Sequence, residues 1–376
     1  MRNLLVISDT GMYSKNSDVF CFEPVLIELN YMLQLFDQIY WIGFERKDQI
    51  NNKSYSKIKS NKIKVKMLPA VGGKRIKDKF KILKSYPYIY KTIHQHIKDI
   101  DHIHLRAPSN PALIGAAFCF LYPKKIFWFK YAGSWIDKAP FFYSFQRIIF
   151  KKLATAKKNV RLTINGDYED HPRIFNFQNP CINKEDFVNG KKIVTEKKII
   201  DKYKLCFIGN LTSKKGVDNL LLALKTNKSI DHIESIDLIG DSSFKDHFIS
   251  VSENIEIPSY FHGILDKKEI FKILSKSHII ILPSQSEGFP KVISEGMNFG
   301  CLPVVSAVSC VPQIIQHNKN GFLLYKNTPY EINQVLEQLK KISNIEYYDI
   351  IKKNQEFCYM FTYENYIDRI DKEIFV

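Results

Sequence analysis

Ile279-Ile-Ile-Leu-Pro-Ser-Gln-Ser-Glu-Gly-Phe-Pro-Lys-Val-Ile-Ser-Glu-Gly-Met-Asn-Phe-Gly-Cys-Leu-Pro-Val-Val305 reads as a buried strand that turns into a helix. The β-branched run from His278 to Leu282 suits a parallel strand covered on both faces, and Pro283-Ser284 ends it. Pro290 fits the first position of a helix, which needs no amide hydrogen, and Gly300 fits its end. Glu287 then lies in the loop at the carboxyl end of the strand, and Glu295 about two turns along the helix. Ligands of open α/β sheets bind at that edge.

Two carboxylates beside free helix amides suit a polyhydroxylated ligand that carries negative charge elsewhere. Each glutamate accepts hydrogen bonds from vicinal hydroxyls, and the helix start offers donors and a partial positive charge. Alone, Glu287 is equally a solvated loop acid and Glu295 a surface helix acid, so the neighbouring segments decide.

The segment resembles the Glu-x7-Glu signature of retaining glycosyltransferases with the GT-B fold, family 4 (glycosyl transferases group 1). Phe207-Ile-Gly-Asn-Leu-Thr-Ser-Lys-Lys-Gly216 is similar to the Gly-Arg-Leu…Lys-Gly element that opens the family's C-terminal domain. Leu238-Ile-Gly-Asp241, Phe261-His-Gly-Ile264 and Gly321-Phe-Leu-Leu324 resemble the segments around the signature, in order, over roughly residues 200 to 330. The resemblance implies an α/β fold of two Rossmann-like domains facing a central cleft. The expected division is an acceptor-side domain at 1–185, a nucleotide-sugar-binding domain at 186–358, and a C-terminal helix at 359–376 that crosses back to the first. The run between Asn183 and Lys202 reads as the solvated boundary.

The implied reaction moves a sugar, a hexose in the first instance, from a UDP- or GDP-linked donor to a hydroxyl of a cell-surface glycan or lipid-linked acceptor. It keeps the anomeric configuration and uses no metal and no cofactor beyond the donor. Glu287 orients the donor sugar, Glu295 holds the ribose, and Lys215 faces the diphosphate. Gly209, Asn210, Gly263, Gly288, Phe289, Pro290 and Lys291 complete the expected donor site, with Gly11 approaching from the first domain. Asn210 stands where the family usually has Arg, which removes one cation from the diphosphate clamp.

The first half carries the pattern more weakly. Leu4 to Ser8 reads as a strand, Asp9-Thr-Gly-Met-Tyr13 as a glycine loop and Phe22 to Phe36 as a helix, the first unit of a Rossmann-like domain but short of Gly-x-Gly-x-x-Gly. Arg106, Lys130 and Trp135 fall near the carboxyl ends of later strands and are acceptor-side candidates. Their plainer readings are a structural ion pair, a solvated edge and a packed loop aromatic. Many family members place a His between positions 130 and 135, and this sequence has none there.

Composition bounds the partners. Fifty-five Lys and Arg against 39 Asp and Glu give a net charge of +16 over 376 residues. Lys dominates, and neither an Arg-rich helix nor an exposed aromatic sheet motif is present, so no nucleic-acid partner is expected. An anionic membrane surface is a further candidate partner. Phe141 to Leu153 reads as an amphipathic helix with Phe142, Phe145, Ile149 and Leu153 on one side and Arg147, Lys151 and Lys152 apart from them. The plainer reading is a helix covering the sheet. Seven scattered cysteines without Cys-x-x-Cys spacing argue for reduced thiols, and with no signal or spanning segment the expected location is the cytoplasm, extending to the inner membrane face. Asp99-Ile-Asp101, His94 with His96, and Asp167 to His171 are not expected to bind a metal. Two other classes stay open: an epimerase acting on nucleotide sugars with the same fold, and a non-catalytic basic protein that binds membrane or nucleic acid.

Overall fold

Continuous apolar runs become strands buried on both faces. Leu4, Leu5, Val6 and Ile7 are each 0% exposed, and Ile279 to Leu282 are buried throughout, as parallel strands between helix layers must be. The computed structural model describes residues 2 to 375 except 51, 53, 70, 72–75, 198–200, 228–229 and 243. The chain divides into two compact units, Met1–Phe177 with Tyr366–Val376, and Gln178–Asn365. Each is a Rossmann-like α/β unit.

The first unit carries β1 (Asn3–Lys15), β2 (Asp18–Phe22), β3 (Gln38–Glu45), β4 (Tyr55–Lys57), β5 (Ile63–Leu68), β6 (His102–Ala107), β7 (Ile126–Tyr131), β8 (Val160–Ile164) and β9 (Ile174–Asn176). Strand β1 pairs in parallel with β3 on one side and β6 on the other; β5 follows β3, and β7, β8 and β9 follow β6. The chain therefore reverses its direction of winding between β1 and β6. The second unit holds β10 (Tyr203–Ile208), β11 (Ile233–Ile239), β12 (Ser259–Gly263), β13 (Ile279–Leu282), β14 (Leu302–Ser306) and β15 (Phe322–Leu324). Their order, β12-β11-β10-β13-β14-β15, is parallel throughout and reverses between β10 and β13.

Three local expectations change. The glycine loop at Asp9–Tyr13 is part of β1, which runs on to Lys15 and turns back antiparallel into β2. Asn16 and Ser17 make that turn with φ of 51° and 66°, the positive values a tight hairpin needs. The helix that follows is shorter than its apolar pattern, Glu23–Met32. The stretch after Asn183 is a helix, Lys184–Glu196, closed at its start by a reciprocal Asn183–Asp186 capping box. Its Gly190 lies against Asn298, where a side chain has no room. Lys and Glu in that run looked solvated because they are the outer face of a packed helix.

The amphipathic helix forms over Phe141–Ala156, but its inner face is Gln146, Phe150 and Ala154. Gln146 accepts from the Ser109 amide at 3.0 Å, so one polar residue replaces the expected apolar one inside. Phe145 lies on the outside, 43% exposed.

A cluster of charges sits inside the first unit. The Glu28 carboxylate, 4% exposed, takes Lys130 Nζ at 2.9 Å, Arg106 Nη1 at 2.8 Å and the Tyr366 hydroxyl at 3.0 Å. Lys130 Nζ also donates to Tyr366 at 2.8 Å, so the last stretch of chain is bolted to this cluster. Burial alone would raise the Glu28 carboxyl, but Arg106 and Lys130 outweigh it and hold it well below the usual carboxylate range. A depressed acid contributes stability that is full above its unfolded pKa and is lost as pH falls through the folded value. Glu28→Gln leaves two buried cations without a counter-charge and is expected to cost about 3–5 kcal/mol at neutral pH. The deficit should shrink below about pH 4.3, where the wild type loses its advantage. Trp41, Trp128 and Trp135 all lie in the first unit, so denaturant titration followed by tryptophan fluorescence reads this directly. A pH-independent deficit contradicts the assignment.

Candidate active site at the carboxyl edge of the second sheet

Strands β10 and β13 separate at the reversal point of the second sheet, and the loops that leave them carry the site. Strand β10 ends at Ile208 and passes through Gly209 to a short 3-10 turn, Ser213–Lys215. Gly216 follows with φ of 77° and starts the helix Val217–Thr226. A side chain at Gly216 would run into the carbonyl of Pro283, the residue that ends β13. The two loops are thus in backbone contact, and Gln285 N donates to Lys214 O at 2.9 Å across them. Glycine serves there both for the left-handed turn and for the close approach.

That contact brings Lys215 to Glu287. Their Nζ and Oε1 atoms are 2.6 Å apart, with side chains 30% and 11% exposed. Ser284 Oγ donates to the same oxygen at 2.6 Å, so Glu287 is held by a cation and a hydroxyl together. Ser284 is fixed in turn, because Asn327 donates to its carbonyl at 3.4 Å and accepts from Ser306 at 2.6 Å. The sequence pattern placed Lys215 and Glu287 at different parts of a ligand; the structure joins them in one ion pair. Ser284 was missed because a serine after a strand-ending proline reads as turn chemistry.

The helix after Glu287 spans Lys291–Asn298, one position later than expected, with Pro290 as its N-cap residue. No side chain caps it; Ile293 N donates to Pro290 O at 3.0 Å, and the amides of Lys291 and Val292 have no hydrogen-bond acceptor among the described residues. Glu295 therefore lies in the second turn of a short helix and not two turns along it. Desolvation raises its carboxyl above the usual range, partly offset by Lys267 and Lys291, while Asp186 adds to the rise. Lys267 itself pairs with Asp186 at 2.7 Å, a neighbour of the second glutamate that the motif did not reveal. The Gly288 carbonyl accepts from Ser309 at 3.0 Å, and Phe289 packs on Phe361 with ring centroids 5.4 Å apart.

The remaining donor candidates line the same edge. Asn210 is exposed, and the Leu211 amide just after it donates to Asp241 O at 2.9 Å. Gly209 donates to Ile239 O at 2.9 Å, and Gly240 to Gly263 O at 2.9 Å, so the loops after β10, β11 and β12 are laced together. Gly240, with φ of 142°, leaves no space for a side chain because it faces the Gly209 carbonyl. Gly263 instead has nothing within 4 Å of where a side chain would begin.

In the first unit the structure gives the candidates partners of their own. Arg106 and Lys130 are held by Glu28, an acid in the first helix that no spacing argument singled out. Trp135 is 5% exposed and donates to Glu169 at 2.8 Å. Gly11 packs on Tyr55 and Arg46 inside β1, in a strand and not in the open loop expected for it. Among the described residues no group of three or more His, Cys, Asp or Glu could hold a metal ion.

Residues 190–357 match the family described as glycosyl transferases group 1. An uncharacterized glycosyltransferase of Haemophilus influenzae is 31% identical over 144 residues, covering 38% of this chain and 40% of that protein. An uncharacterized glycosyltransferase of Methanocaldococcus jannaschii is 25% identical over 318 residues, covering 77% of this chain and 78% of the relative. The match to the Haemophilus protein thus spans less than half of that relative's length. The crystal structure of Anabaena Alr3699/HepE in complex with UDP superposes with a TM-score of 0.68 at 14% identity, covering 99% of both chains. Likeness over that length shows the fold, two Rossmann-like units of the kind found in GT-B proteins.

If the Gly216 contact sets the Lys215–Glu287 pair, Gly216→Ala must displace it. Strain at a positive φ together with the collision at Pro283 is expected to cost about 2–3 kcal/mol. Calorimetric unfolding of the variant should show a lowered Tm, and an unchanged Tm would remove the argument for this turn.

Proposed function

We propose that the protein is a retaining glycosyltransferase of the family-4 type that transfers a hexose from a UDP-linked donor to a hydroxyl of a glycan or lipid-linked acceptor. One observation carries this reading: Lys215, Glu287 and Ser284 form a hydrogen-bonded triad at the reversal point of a parallel sheet, beside an uncapped helix start. A diphosphate needs cations and open amides, and a sugar needs carboxylate acceptors; both lie within one edge. The choice of UDP is supported by Anabaena HepE, a structural neighbour seen with UDP and, at a TM-score of 0.63 and 13% identity, with UDP-glucose.

The chemistry divides among the residues. The bond from the anomeric carbon to the β-phosphate oxygen breaks and its electron pair leaves on the nucleotide. The acceptor oxygen forms its bond on the same face, and its proton goes to the departing phosphate oxygen. Lys215 and the first amides of helix Lys291–Asn298 stabilise the charge that grows on that phosphate, a task for preorganised electrostatics. Glu287, held in place by Ser284, accepts from hydroxyls of the donor sugar and orients it. Glu295 accepts from the ribose hydroxyls. Asn210, exposed at the mouth of the edge, supplies no charge, so Lys215 carries the larger share of the diphosphate.

A nucleotide-release assay over a panel of UDP- and GDP-sugars tests the reading. UDP-hexose turnover is expected, with Glu287→Ala lowering kcat by about three orders of magnitude. Glu295→Gln should act mainly on donor KM. Wild-type turnover in the Glu287 variant removes its role, and no donor consumption by the wild type removes the enzyme.

The lipid-linked acceptor draws support from the outer face of helix Phe141–Ala156. Phe141, Phe145 and Ile148 are 86%, 43% and 53% exposed, and Lys152 beside them is an exposed cation, while Lys151 pairs with Glu169 at 2.6 Å. Apolar side chains flanked by Lys suit a surface that rests on anionic lipid. Among the described residues no helix is long and apolar enough to cross a membrane. Sedimentation with vesicles containing phosphatidylglycerol should capture the protein, and Phe141→Ser with Phe145→Ser should weaken capture by about tenfold or more. Equal capture by neutral phosphatidylcholine vesicles would remove the electrostatic part of this reading.

A further inference from the structure

The first unit has a reversal point of its own, and its residues are not used by the chemistry above. Strand β1 stays in register with β6 up to the pair Ile7 and Leu105, and with β3 up to Ile7 and Ile42. The β3 ladder resumes only at Gly11 and Phe44, so Ser8, Asp9 and Thr10 bulge out opposite Gly43 alone. The bulge is built, not frayed: Ser8 Oγ accepts from Trp41 Nε1 at 2.9 Å and from the Thr10 amide at 3.3 Å. Gly43 permits it, since a side chain there would meet Thr10 O at 2.8 Å. Asp9 in the bulge of β1 and Arg106 near the end of β6 therefore both lie at the carboxyl edge, the place where such sheets take ligands.

Arg106 is only partly paired at this edge. Arg106 has a side chain only 16% exposed, and the structure gives hydrogen bonds only to its Nη1, from which Glu28 and His104 are 2.8 and 3.4 Å. Its Nε and Nη2 have none among the described residues. Arg46 lays its stem against Gly11, 2.9 Å from where a side chain would begin, and its guanidinium makes no hydrogen bond or ion pair among the described residues. Both arginines act on Asp9: its side chain is exposed, yet partial desolvation lifts that carboxyl above its usual range, while its own amide and the two arginines pull it back. Arg106 thus acts on both Glu28 and Asp9, and Arg46 on Asp9, with Asp48 beside Arg46 near Tyr55. Glu28 is spent on Lys130 and one arm of Arg106. A largely buried guanidinium with an open arm is costly unless an anion completes it.

We propose that the edge between β1 and β6 binds an acidic group of the acceptor, a sugar carboxylate or a sugar phosphate, held by the open arm of Arg106 and by Arg46, with Asp9 as the chain's own anion until the acceptor displaces it. The proposal rests on the transferase reading, because it takes the donor to be held at the second unit's edge and leaves this one to the other substrate. Glu28 is a positioning residue here, since it fixes Arg106 without touching the ligand.

Ligand-observed NMR titration of the full chain with glucuronate, glucose 6-phosphate and glucose tests it. At least one acidic sugar should bind about tenfold or more tightly than glucose, the scale of one charge-assisted hydrogen bond. Which one binds separates carboxylate from phosphate. Arg46→Gln, at a partly exposed position that does not threaten folding, should remove that preference, and Asp9→Asn should strengthen acidic-sugar binding by removing the competing carboxylate. Equal affinity for all three sugars overturns the proposal, as does wild-type preference in Arg46→Gln, or weaker binding in Asp9→Asn. Displacement of the acidic sugar by UDP, or loss of UDP affinity in Arg46→Gln, also overturns it by assigning the edge to the donor. Failure of the protein to bind any UDP-sugar sinks the transferase reading instead, and the acid preference is still read from the same titration.

Discussion

A parallel strand is satisfied only while both neighbours keep pace with it. At β1 and at β10 the chain winds away in opposite directions, so beyond Ile7 and Ile208 the backbone must find other partners. The two units answer differently. In the second, glycines let the loops close on one another, and Lys215 and Glu287 meet because Gly216 lets its loop touch Pro283. In the first, β1 bulges and rejoins its ladder, with Ser8 acting as the internal hydrogen-bonding group. Everything assigned to ligand binding follows from these two departures.

Charge is handled in opposite ways at the two edges. The second unit pairs one cation with one acid, in an ion pair still partly open to solvent, so a ligand can compete for either partner. The first unit buries Glu28 between two cations and a phenol, where the ions are too deep to exchange partners. The open pair of the second unit suits groups that must let go during a reaction. The buried cluster of the first unit suits a fixed frame that holds a side chain in place.

Much of the second unit was legible because its signals are local. Glu287, Lys215 and their glycines sit in short strand-turn-helix pieces whose spacing fixes which side of the sheet they reach. The error there was small and geometric: a helix that begins after Pro290, not with it. The first unit was less legible because its decisive contacts join residues far apart in sequence. Nothing near Glu28 announces that it meets Lys130 and Tyr366, and an acid in an apolar helix reads as an outward-facing residue. Asp9–Tyr13 looked like a loop because glycine and aspartate are loop residues, yet a bulge needs the same residues within a strand. In helix Phe141–Ala156 the period was visible and Ile149 and Leu153 do pack on the core, but the face is turned so that Gln146, bonded to the Ser109 amide, is buried and Phe145 is exposed.

The closing of the Glu28 cluster by Tyr366 has a consequence for how the chain comes into being. Residues Gln178–Asn365 form a continuous segment, whereas the first unit is split around it and takes its last piece from Tyr366–Val376. During synthesis the inserted segment is complete before the ribosome has released the phenol that Lys130 and Glu28 require. The unit made first is therefore finished last, and until then it carries its interior charges one partner short. A nascent chain in that condition is open to chaperones and proteases until Tyr366 joins the cluster.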